Sequence, residues 1–195
     1  MSILALTSDT LIGTPATGNI EYSGQFYGTD SNASRAQMQR LALSTSQAST
    51  SGTSIDFTGI PAWAKRITIM FVGTSGSGTS FPTVRLGTVS GFEVTNYLGS
   101  TQSGASAVTF STGFEFASNI ASAARLYQGA MTLTLQNSST NTWAATSVVG
   151  ASEGASVAIM GGSKSTASVV TQVRITFVNG TDTFDAGSIN IMYEG

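Results

Sequence analysis

The chain of 195 residues has no cysteine and no histidine. The first absence removes disulfides, thiolate nucleophiles and thiolate zinc sites. The second removes the commonest general base and the commonest transition-metal ligand. Charge is also scarce: Asp, Glu, Lys and Arg make up 9 % of the residues, against about 25 % in an average soluble domain. No apolar run approaches the roughly 20 residues that span a bilayer as a helix, so membrane insertion is not expected. The first ten residues, MSILALTSDT, lack the basic n-region of a secretory signal. Export is then expected by another route, such as cell lysis.

What is present is hydrophobic residues at 41 %, too many for a disordered chain, set among Ser, Thr, Gly, Asn and Gln. An uncharged hydroxyl and amide surface with a net charge of −2 suits a protein that lives in an assembly or outside a cell. The length suits one ordinary domain with an appendage.

Composition divides the chain in three. Residues 1–43 contain the glycine-punctuated stretch GNIEYSGQFYGTD and the segment ASRAQMQRLAL. Residues 44–54, STSQASTSGTS, are nearly all hydroxyl residues and read as an extended connector. Residues 55–195 contain almost all the patterned apolar sequence and read as the folded domain.

That region alternates with a period of two, the signature of half-buried strands. Ile67, Ile69 and Phe71 share one face, as do Met131, Leu133 and Leu135, and Val173, Ile175 and Phe177. Val108 and Phe110 share a register with Phe114 and Phe116, which places Glu115 on a solvent face. Asn179-Gly180 follows the third run and predicts a hairpin with 187–194 returning beside it. Short strands with Gly-rich turns predict an all-β fold, an antiparallel β-sandwich or jelly roll of roughly eight strands. The one helix candidate is 34–43, with Asn32 as its N-cap.

Sites that could carry chemistry are few. GGSKS at 161–165 echoes the end of a phosphate loop, but it lacks the spaced first glycine and a following helix. It reads as a β-turn with a solvated Lys164. Asp182 and Asp185 flank a turn near Gly187; calcium needs six to eight oxygens, so they read as turn caps. Glu93, Glu115 and Glu153 are scattered singly, unlike the carboxylate pair of a glycosidase. Trp63 and Trp143 are candidate stacking residues for a sugar ring, with anchoring of the core as the alternative. Basic residues are dispersed, so nucleic acid is not an expected partner. No catalytic residue, cofactor or metal site is assigned.

The stretch TPATGNIEYSGQFYGTDSNASRAQ places Pro15, Gly18, Ile20, Glu21, Tyr22, Gly24, Tyr27 and Arg35 in a pattern. It resembles a short module of tail fibres and other appendages of tailed bacteriophages. IDFTGIPAWAKRITIMFVGTSGSGTS and RITFVNGTDTFDAGSINIMYEG are similar to the β-sandwich domains that follow this module in phage structural proteins. The resemblance implies a non-enzymatic virion structural protein, a homotrimer on the virion surface, made in the host cytoplasm and released by lysis. Its partners would be itself, other tail or capsid proteins, and a host surface glycan. The alternatives are a capsid decoration protein or head fibre, and more distantly a carbohydrate-binding module. In all but the last, residues 1–43 anchor or trimerise. Ile20, Tyr22, Phe26 and Tyr27, too few for a core of their own, would pack on neighbouring subunits or on the virion.

Overall fold

The computed structural model describes residues 14, 16–23, 25–32 and 34–195. The N-terminal patch at 1–13 and the motif positions Pro15 and Gly24 lie outside the described residues. The chain forms two units, Met1–Arg40 and Leu41–Gly195.

The first unit is a three-stranded antiparallel sheet of β1 (Ile20–Tyr22), β2 (Phe26–Thr29) and β3 (Arg35–Gln37), in that order. The helix expected over 34–43 is not formed. Asp30 Oδ1 accepts the backbone N–H groups of Asn32 and Ser34, both at 2.9 Å. This Asx turn reverses the chain, so that 35–37 pair with β2 instead of coiling. Leu41–Leu43 then form β4, which pairs with the last strand. A local propensity for helix gives way to tertiary pairing.

The second unit runs through β4, β5 (Gln47–Ala48), β6 (Ser54–Thr58), β7 (Arg66–Gly76), β8 (Pro82–Thr88) and β9 (Gly91–Phe92). It continues with β10 (Leu98–Ser103), β11 (Ser106–Thr109), β12 (Phe114–Glu115), β13 (Tyr127–Asn137) and β14 (Thr142–Ala151). β15 (Ser156–Ser165), β16 (Gln172–Phe177) and β17 (Phe184–Glu194) complete it. A nine-stranded sheet has the order β11-β10-β15-β14-β13-β7-β17-β4, with β5 also on β17. A five-stranded sheet has the order β12-β8-β16-β6, with β9 on β8. All pairings are antiparallel, and the fold is an all-β sandwich of more strands than the roughly eight expected.

The period-two runs place their apolar sets inward. Ile67, Ile69, Met131, Leu133, Ile189 and Ile191 from the large sheet meet Val84, Leu86, Val173 and Ile175 from the small one, all buried. Phe71 and Phe116 stack with centroids 4.4 Å apart. At about 25 cal/mol per Å² of apolar surface, burial of this set is the main stabilising term.

Two further expectations are corrected. Asn179-Gly180 does turn the chain: Asn179 Oδ1 accepts the N–H groups of Thr181 and Asp182, and Gly180 has φ +70°. It joins no hairpin. β16 is already bonded on both edges, to β6 and β8, so β17 crosses to the other sheet and pairs with β7. Residues 44–54 are not a free connector. Ser44 N–H donates to the Ile191 carbonyl, β5 pairs with β17, and Ser49 is wholly buried with its Oγ donating to the Ala186 carbonyl at 2.7 Å. Small hydroxyl side chains satisfy the carbonyls along β17, which a composition-based reading takes for a linker. The break between units therefore falls after Arg40.

Candidate assembly surface

The four N-terminal side chains expected to make assembly contacts lie on the three-stranded sheet, and its register sorts them. Paired residues of an antiparallel ladder project to the same face. Ile20 pairs with Gly28 and Tyr22 with Phe26, while Gly28 pairs with Ala36. These residues make one apolar face. Glu21 pairs with Tyr27, and Tyr27 with Gln37, on the opposite face. There Arg35 Nε lies 2.6 Å from Glu21 Oε2, an ion pair across β2.

Ile20, Tyr22 and Phe26 thus share a face, and Tyr27 is separated from them by the sheet. The Tyr22 and Phe26 rings are in contact, centroids 5.1 Å apart. Ile20 is 67 % exposed and Phe26 44 %. Met38, also exposed, follows β3, its N–H donating to the Phe26 carbonyl. Tyr22, Gln25, Phe26, Met38, Gln39 and Arg40 border a groove of about 460 Å³.

The other candidate residues are dispersed by the fold. Trp143 on β14 is 3 % exposed and belongs to the core, beyond reach of a stacking ligand. Trp63 is half-buried against the core and tilts on Tyr193 at 5.6 Å. Glu153 is exposed in the turn between β14 and β15. Asp182 accepts from the Ser80 backbone and from Asn179 Nδ2, as a turn cap does. Asp185 is exposed on β17. Among the described residues no three acidic side chains converge on a metal-sized site.

Two charged groups are placed differently from expectation. Glu115 is buried, not solvated, although it alternates with the core residues Phe114 and Phe116, and Ser118 Oγ donates to its Oε2 at 2.9 Å. Burial pushes its carboxyl above the ordinary value, a shift that the Ser118 hydrogen bond opposes. Lys164 is not a solvated turn residue but part of β15, with its side chain 4 % exposed and ion-paired with Glu93. Its ammonium also stands 5.4 Å from the centre of the Tyr97 ring. Burial raises the Tyr97 hydroxyl well above its usual range; that hydroxyl accepts from Leu86 N–H and donates to the Glu93 carbonyl. Sequence reasoning missed this cluster, although the signal was there: Lys164 shares its parity on β15 with the buried Ala158 and Met160.

No family model, curated protein or solved structure matches this chain.

Proposed function

We propose that the chain is a non-enzymatic bacteriophage virion structural protein, a trimeric surface appendage of the tail-fibre or receptor-binding type. The observation that carries the reading is the exposed apolar face of β1–β3, where Ile20, Tyr22 and Phe26 stand together on a sheet too small to bury them. A closed ring of copies gives such a face a partner in every subunit. A large aromatic buries about 150–250 Å² when fully covered, so a shared cluster of this kind contributes substantially to association. The likeness of 14–37 to phage appendage modules supports the virion assignment, and the hydroxyl-rich, weakly charged chain suits a particle surface.

The test is the mass of the full chain in solution by sedimentation equilibrium. A trimer at micromolar concentration is expected, and a monodisperse monomer overturns self-trimerisation. Copy number on purified particles then decides its place: a fibre is scarce, whereas a capsid decoration protein rivals the major shell protein on a gel.

A further inference from the structure

The two outer faces of the sandwich differ in kind. On the small sheet, Arg174 makes a bidentate pair with Asp56 at 2.8 and 2.7 Å, Arg85 lies alongside in register, and the Phe92 ring covers the Arg174 guanidinium at 4.2 Å. That face is charged and partly roofed by its own loops. The outer face of the large sheet is uncharged and carries exposed apolar side chains. One row runs Gln102, Ile159, Val148, Ala130, Met70 and Asn190 across six paired strands. The row on one side contains Thr146, Thr132 and Thr68, and the row on the other contains Val157, Gly150 and Val72. None of these rows contains a charge; the Arg66–Glu194 pair stands one row beyond the threonines. Val148, Val157, Ile159 and Val72 are each more than half exposed, at 61, 58, 53 and 62 %.

This face has both raised and hollow parts. Val148 and Ile159, directly paired, form a ridge with Val157. Beside Ile159 is a depression of about 260 Å³, lined by Ser100, Gln102, Ala107 and Gly161. Beside Val157 is another of about 330 Å³, bordered by Gln128 and Gly150. Gly161 makes the first one open: a Cβ there would meet nothing within 4 Å. Three rows about 6.7 Å apart across six strands about 4.8 Å apart make a face on the order of 600 Å². A stable protein–protein contact uses about 800 Å² per partner.

We propose that this face is a self-interface, through which the sandwich units of neighbouring copies pack ridge into depression. The occupant is a second copy of this chain. A charged partner would leave its own ions desolvated against a face with nothing to pair them, whereas another copy brings an equally uncharged surface of the same area. This contact rests on the assembly reading above and deepens it, through a surface other than the N-terminal sheet.

The test compares the full chain with two outer-face variants, Val148→Glu with Ile159→Glu and, separately, Thr146→Lys, by sedimentation velocity. All three substituted side chains are exposed, so far-UV circular dichroism and Tm are expected to stay at parental values. Each variant is expected to weaken association by about tenfold or more, because each places an unpaired charge against an uncharged surface. Association unchanged in both variants overturns the proposal, and so does a parent chain that stays monomeric. A third variant, Tyr22→Ala with Phe26→Ala, separates the two surfaces. If it dissociates while the outer-face variants do not, this proposal falls and the N-terminal reading stands. The reverse result sinks the N-terminal contact and keeps the sheet face.

Discussion

The ammonium of Lys164 lies 2.5 Å from a carboxylate oxygen of Glu93, joining β15 to the segment after β9 across 71 positions of sequence. Glu93 also accepts the Ala167 N–H with its other oxygen at 2.7 Å. The lysine is almost wholly removed from water, so its charge depends on this one carboxylate and on the face of Tyr97. Glu93→Gln leaves that ammonium buried and unpaired, and the expected loss is about 3–5 kcal/mol in urea denaturation. Adding Lys164→Met to the same chain should restore most of it. A double variant no more stable than Glu93→Gln alone would show that the pair is not the cause.

Glu115 gives a pH dependence with a definite sign. Its folded-state carboxyl is raised above the ordinary 4.5 by burial. The native state therefore holds the proton more tightly than the unfolded chain does. The resulting stability is fully present below about pH 4.5 and is lost as pH rises through the raised folded value. Glu115→Gln cannot ionise, so its urea midpoint should show a shallower decline between pH 4.5 and neutrality than the parent's. Parallel profiles for the two proteins would remove Glu115 as the source.

Gly187 is required where β17 bulges against β7. Its φ is +85°, and a Cβ there would come within 2.3 Å of the Gly73 carbonyl group. The obstacle is backbone, which cannot swing aside. Gly187→Ala is expected to cost about 2–4 kcal/mol from left-handed strain and clash together, read as a fall in Tm. Gly161→Ala, with open space at the same test, should be nearly neutral.

The N-terminal sheet makes a face-specific prediction. Phe26→Ser removes an aromatic from the apolar face and should weaken assembly, with the melting of residues 41–195 unchanged. Tyr27→Ser, one residue along on the opposite face, should leave assembly near the parental level. Sedimentation of both variants checks this, and equal losses would mean that the apolar face is not the contact.

Much of the sandwich was legible in the sequence. Strict alternation at Ile67, Ile69, Phe71, at Met131, Leu133 and at Val173, Ile175, Phe177 determines strands with one buried face, because a period of two has no other compact solution. The missing cysteines and histidines likewise exclude their chemistry whatever the fold. Tertiary structure alone decided where the strands go. Asn179-Gly180 specifies a turn, but the occupied edges of β16 send β17 to the other sheet. Residues 34–43 are locally compatible with a helix, yet the Asp30 turn and the pairing partners β2 and β17 make 35–37 and 41–43 strands. The hydroxyl-rich 44–54 carry no apolar signal and are ordered by the carbonyls of β17. Lys164 is buried because elements distant in sequence cover it, and its burial as a charge depends on Glu93, a partner that no local pattern encodes.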